Sequence, residues 1–235
     1  LSTLQFPPLF QGEQVSGTAD PFDRALALAI AGTDPGTVVY NLSGGTLRAS
    51  LIFTPEIPLE QAMTMQPVCG LGFQAALGAL APPEVAVHLQ WDGGIRVNGA
   101  ACGRFRVRAS TADPASIPDW LIVGLELDME SPKGNPGKNP DRTFLVEEGC
   151  GEITSELLLE SWVRHTLYWI NRWQEDGLRP VHGDWRGLAH ALGDEITQSG
   201  ETGTFVGVDE NFGMLLRSGE ETKLIPLSTQ LEGMS

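Results

Sequence analysis

The chain has 235 residues, 41% of them hydrophobic and 19% charged, with a formal net charge of -15. That length and hydrophobic share suit one sizeable globular domain, with room for a small appendage, and exclude a disordered chain. The acidic balance argues against a nucleic-acid binder, which would neutralise phosphates with Lys and Arg, and no apolar run approaches the roughly 18 residues of a membrane span.

Only three residues are lysine, Lys133, Lys138 and Lys223. The cysteines Cys69, Cys102 and Cys150 lie far apart without a Cys-x-x-Cys pair. That usage suits reduced thiols in a cytoplasmic protein, and the first residues lack the charged-then-apolar pattern of a signal peptide.

Residues 1–19 read as an extended lead-in. Asp20-Pro21-Phe22-Asp23 starts a helix: Asp20 caps, Pro21 suits the first helical position and Asp23 favours the positive end of the dipole. The helix runs through Ala25–Ala31 to Gly32. Strands are predicted over Thr37–Tyr40 and Thr46–Thr54, the second with Leu47, Ala49, Leu51 and Phe53 on one face, joined by a Ser43-Gly44-Gly45 turn. Leu59–Leu80 is predicted mostly helical. Val85–Trp91 alternates as a strand, Asp92-Gly93-Gly94 turns, and Ile95–Val97 leads to an Asn98-Gly99 turn and a strand over Arg104–Ser110. Trp120–Leu127 is almost continuously apolar, as a central strand is. A Pro/Gly/Lys loop over 131–142 precedes the strongest helix, Ser155–Gln174, which carries Leu158, Trp162, Trp169 and Trp173 near one stripe. After Trp185 come short strands between tight Gly-rich turns: Glu195–Thr197, Gly203–Val208, Met214–Arg217 and Lys223–Pro226. That rhythm suggests a small β-barrel of SH3-like size.

The order of these pieces resembles the biotin/lipoate A/B protein ligase family. Gly17-Thr18-Ala19-Asp20 stands where the family has its Ser-Thr-Asn helix start. Gln90-Trp91-Asp92-Gly93-Gly94 is similar to its Lys-Trp-Pro-Asn-Asp strand and turn, and Ala100-Ala101-Cys102-Gly103 to its Lys-Leu-Ala/Cys-Gly run. Ile122–Asp128 resembles the Gly-Ile-Asn-x-Asn strand, and Gly207–Leu216 the C-terminal Gly-Ile-Asp-x-x-Gly-x-Leu-Leu run. The resemblance implies an α+β fold: a biotin protein ligase or class II synthetase-like mixed sheet with helices over 1–185, then an SH3-like barrel over 186–235. It also implies adenylation of biotin or lipoate with Mg-ATP and transfer of the acyl group to a lysine on a biotinyl or lipoyl carrier domain.

The sequence departs from the family where that chemistry is carried out. The Gly/Arg-rich ligand loop has no counterpart between Tyr40 and Leu47, and Arg48 is the only cation nearby. Gln90 replaces one motif lysine and Ala100 the other; Gly93-Gly94 replace Asn-Asp; Glu126 and Asp128 replace the two asparagines. The expected function is therefore binding of a small carboxylic acid or related ligand with classical ATP-dependent adenylation impaired or lost. The alternative is an active ligase or acyltransferase.

The family site maps onto Trp91, Gly93, Gly94, Cys102, Gly103, Gly124, Glu126 and Arg48, with no catalytic residue assigned. Each has a plainer reading. Trp91 walls a ligand pocket or is an ordinary buried strand aromatic; the glycines admit a ligand or only make a turn. Glu126 and Asp128, two apart on one strand face, bind Mg²⁺ or are a surface carboxylate pair. Arg104, Arg106 and Arg108 share a face that holds an anion or is simply solvated. His88, His165, His182 and His190 lack metal-ligand spacing and read as structural. Cys102 reads as small and buried. Cys150 reads as the more exposed thiol, a candidate acyl-transfer nucleophile whose thiolate the neighbouring Glu147 and Glu148 would weaken.

Overall fold

Alternation along two neighbouring strands, β2 (Thr37–Asn41) and β3 (Thr46–Phe53), sets the two faces of the main sheet. One face of β3 buries Leu47, Ala49 and Leu51, and the other buries Ser50 and Ile52. A computed structural model describes residues 4–131 and 140–233. The sheet has seven strands in the order β1-β2-β3-β7-β6-β5-β4, where β1 is Gln11–Gln14, β4 Val87–Leu89, β5 Gly94–Val97, β6 Ala100–Ala109 and β7 Leu121–Asp128. Only the β1–β2 pair is parallel; the others are antiparallel.

On one face lies α1 (Pro21–Ile30), started by Asp20, whose side chain accepts from Phe22 N at 2.9 Å. Its Phe22, Ala25 and Ala29 pack on Val39, Ile52 and Ile122. The opposite face carries the larger core under α3 (Met65–Leu80) and α4 (Ser155–Asp176). Trp162 of α4 is fully buried and donates its indole N–H to Cys69 O at 3.0 Å. Gly72 brings the two helices close, since a Cβ there would stand 2.4 Å from Thr166 Oγ1.

Several expectations need correction. The 59–80 helix is broken at Met63–Thr64 into α2 (Leu59–Ala62) and α3. The strand expected over Val85–Trp91 shortens to β4, because Gln90–Gly93 already form the turn into β5, with Gly93 N donating to Gln90 O. Among the strands and α-helices of the described residues, two are not predicted from the sequence. One is the edge strand β1; the other is α5 (Leu178–Leu188), whose Pro180, Gly183 and Gly187 disguise a helix anchored by Val181 and Trp185. Most of the expected 131–142 loop lies outside the described residues.

The last strands, β8 (Glu195–Gln198), β9 (Glu201–Val208), β10 (Met214–Ser218) and β11 (Glu221–Ile225), form a separate antiparallel meander that fits an SH3-like unit. Its Phe205, Phe212, Met214, Leu216 and Ile225 join the larger core. Trp91 fixes the seam by donating its indole N–H to Phe212 O at 2.7 Å.

Candidate functional site

Helix α1 shelters only part of its face of the sheet. Beyond Gly124, the alternation of β7 brings Glu126 and Asp128 out from under it, and both stay partly exposed. Pairing then lines up one row across four strands: Asn41 on β2, Arg48 on β3, Glu126 on β7 and Arg104 on β6. Asn41, fully buried, donates from Nδ2 to Gly17 O and Ala19 O at 3.1 and 2.9 Å and so anchors the segment that enters α1.

Over this row lies an open cavity of about 510 Å³ lined by Arg48, Gly103, Arg104, Glu126, Asp128 and Arg142, among others. Most of its charges are matched. Arg104 Nε meets Glu126 Oε2 at 2.7 Å. Arg142 forks onto Asp128, Nε to Oδ2 at 2.9 Å and Nη2 to Oδ1 at 3.0 Å. Arg142 is placed there by backbone pairing of its segment with the start of β6: Ala101 N donates to Asp141 O and Thr143 N to Ala101 O. Arg48 differs from the other two arginines. It forms no ion pair among the described residues, and its Nε is shielded from solvent without a hydrogen-bond partner. With Nε shielded, it is the Nη end of this guanidinium, held in no ion pair, that can donate to a carboxylate in the cavity.

Mg²⁺ on Glu126 and Asp128 does not fit this arrangement, because both carboxylates already serve guanidinium partners. No group of three or more His, Cys, Asp or Glu among the described residues could hold a metal ion.

The site residues expected from sequence fall in four places. Arg48, Gly103 and Glu126 line the cavity. Trp91, Gly93 and Gly94 line a slot on the other face with Phe105 and Phe212, where free room is about 20 Å³, close to that of one water molecule. Gly124 lies beneath α1, where a Cβ would come 2.6 Å from the Phe22 ring. Cys102 is fully buried, its thiol 3.6 Å from Asp128 O, and burial followed by the nearby Asp128 and Glu148 carboxylates pushes its pKa well up. Cys150, expected to be exposed, is 1% exposed; burial and then Glu148 raise its thiol too, so it is poorly suited to act as a nucleophile.

The arginine face of β6 is neither vacant nor simply solvated. Arg106, with its side chain 14% exposed, bonds Asp20 through Nη1 at 2.8 Å, reaches Glu126 at 3.4 Å, and lies over the Phe22 ring. Its other edge meets Glu232 at 3.0 to 3.1 Å. Even spacing in the sequence signals this face, but nothing local signals its partners, which lie 20, 86 and 126 positions away. Arg142 was likewise hidden in a loop pattern.

Comparison with known proteins places this geometry. The chain matches the model of the biotin/lipoate A/B protein ligase family over residues 6–187. A second model, a domain of unknown function (DUF4444), matches residues 192–233. Among solved structures, a biotin protein ligase-like protein of unknown function from Silicibacter sp. TM1040 is 57% identical, with a TM-score of 0.92 over 97% of this chain and 99% of that one. The biotin protein ligase from Aquifex aeolicus is similar at 20% identity, TM-score 0.75, over 92% and 95%. That from Leishmania major, solved with biotinyl-5-AMP, is similar at 16% identity, TM-score 0.58, over 93% and 99%. No curated protein matches the chain. No helix among the described residues is long and apolar enough to cross a membrane.

Proposed function

Because the chain belongs to the biotin/lipoate A/B protein ligase family, we propose that it binds a small carboxylic acid on the open sheet face, with ATP-dependent adenylation of that acid impaired or lost. The observation that carries this reading is Arg48: a cavity-lining guanidinium in no ion pair among the described residues, beside Arg104 and Arg142, whose charge is already matched. A carboxylate landing on Arg48 gains charge-assisted hydrogen bonds without breaking an existing pair.

Adenylation asks for more than acid binding. It needs positive charge where phosphate charge develops. Here Arg104 and Arg142 are tied to Glu126 and Asp128, and those carboxylates stand in the cavity wall where an incoming nucleotide would meet them. Ala100 brings no cation to the start of β6. Three free and buried cysteines favour a cytoplasmic setting. We place the ligase-like unit at 1–185 and the SH3-like unit at 186–235, with α5 crossing that point. A carrier domain remains the natural protein partner if acyl transfer survives.

The test is a calorimetric titration of octanoate, lipoate and biotin into the wild-type protein and Arg48→Ala. At least one acid should bind, and Arg48→Ala should weaken it about tenfold, the equivalent of ~1.4 kcal/mol. Equal affinity for both proteins, or binding of no acid at all, would overturn the proposal.

A further inference from the structure

The guanidinium of Arg106 is engaged on both sides, and the two sides are held differently. Nη1 faces Asp20 and Glu126, which are fixed by α1 and by the central strand β7. Nε and Nη2 form the forked edge, and both meet the single carboxylate of Glu232, Nε at 3.1 and 3.0 Å from its two oxygens and Nη2 at 3.0 Å from Oε2. That forked edge is the one a free carboxylate prefers.

Glu232 arrives from the segment that follows the SH3-like strands. β5 pairs with β6 only as far as Arg104, and after Phe105 N donates to Gly93 O that β6 edge passes from the β5 turn to the 231–232 segment. Leu231 fills that edge with one parallel bridge to Val107, and Glu232 N donates to Val107 O at 2.8 Å. Leu231 also packs, partly buried, on the larger core, but Glu232 itself lies outside any helix or strand, whereas Asp20 caps α1 and Glu126 belongs to β7. Three carboxylates surround Arg106, and Arg104 shares only Glu126. Mutual repulsion among them therefore acts most easily on Glu232. The Glu126 carboxylate, shared between Arg104 and Arg106, joins this cluster to the wall of the cavity.

We infer that the Nε/Nη2 edge of Arg106 is a carboxylate-binding subsite that Glu232 fills in cis, so that an incoming small acid exchanges with Glu232 and frees the 231–233 segment from β6. The inference rests on the acid-binding reading above and adds a second carboxylate position to it. A subsite open for only about a tenth of the time lowers apparent affinity about tenfold.

Octanoate is the probe, titrated calorimetrically into the wild-type protein and Glu232→Ala, with amide hydrogen exchange of the 227–233 region followed in the wild type. Glu232→Ala should bind octanoate about tenfold more tightly, and octanoate should accelerate wild-type exchange at Glu232. Equal affinities, or exchange that octanoate leaves unchanged or slows, overturn the subsite and leave the Arg48 reading standing. Absence of octanoate binding in both proteins overturns the subsite, and if lipoate and biotin also fail to bind the wild type, the Arg48 reading falls with it. The exchange measurement needs no variant, so a poorly folded Glu232→Ala would not shelter the inference.

Discussion

Replacing Arg106 by methionine keeps most of the side chain's length and its packing on Phe22 but strips the charge from three carboxylates. The losses are the 2.8 Å bond to Asp20, the fork onto Glu232 and the longer contact with Glu126. A hydrogen bond to a charged group contributes roughly 1.5–3 kcal/mol. The three carboxylates keep 28%, 29% and 36% of their side-chain surface in water, so solvent restores a good part of what is lost. The net cost at about pH 7 should be about 2–4 kcal/mol, read from urea unfolding. Burial alone would raise the pKa of Asp20, yet its bonds from Arg106 and from Phe22 N–H hold it below the ordinary carboxylate value. A folded pKa lowered in this way contributes stability that is present above the unfolded value of ~3.9 and is lost as pH falls through the folded one. Arg106→Met removes that lowering, and protonation of Asp20 relieves its stranded charge. The gap between wild type and variant should therefore narrow at about pH 4. A cost below about 0.5 kcal/mol, or a gap that widens in acid, would refute the electrostatic account of this cluster.

Trp91→Phe should cost about 1–3 kcal/mol in the same unfolding assay, because it leaves the buried Phe212 carbonyl without its indole donor; no loss of stability would deny the seam between the two sheets. Gly103→Ala should destabilise by about 3 kcal/mol or prevent folding, since its Cβ would stand 2.3 Å from Glu126 O; a variant as stable as wild type would contradict the close β6–β7 pairing. Burial, then Arg96 and His88, depress the pKa of His190, so its contribution is complete above the unfolded value of 6.5 and is lost as pH falls through the lower folded one. Thermal unfolding should therefore show His190→Asn less sensitive than wild type to a shift from neutral to mildly acid pH, and equal sensitivity would count against this burial effect.

The main strands and the ends of α1 were legible because local chemistry dictates them. Asp20-Pro21 caps, β3 alternates and β7 is continuously apolar, and each became the element expected. Short elements were less readable. The four residues of β1 and the Pro- and Gly-bearing α5 owe their form to neighbours in space, not to their own periodicity. The candidate site was legible only in part. Family-like spacing pointed to Arg48 and Glu126, which do share a cross-strand row, but it grouped them with Trp91 and Gly94, which sit on the far side of the sheet. A single sequence cannot tell which glycine lines a cavity and which, like Gly124 under Phe22, merely admits a packed ring. Nor does it reveal that Glu232 lies against Arg106, since no short-range pattern spans that separation.

The most direct test of acid binding without adenylation is isotope exchange between pyrophosphate and ATP in the presence of biotin, lipoate or octanoate. Exchange requires a reversibly formed acyl adenylate, so it reports the step that the matched charges of Arg104–Glu126 and Arg142–Asp128 disfavour. The account predicts that an acid found to bind in the calorimetric titration supports no exchange above the acid-free background. Clear exchange dependent on that acid would contradict it and restore an active ligase or acyltransferase.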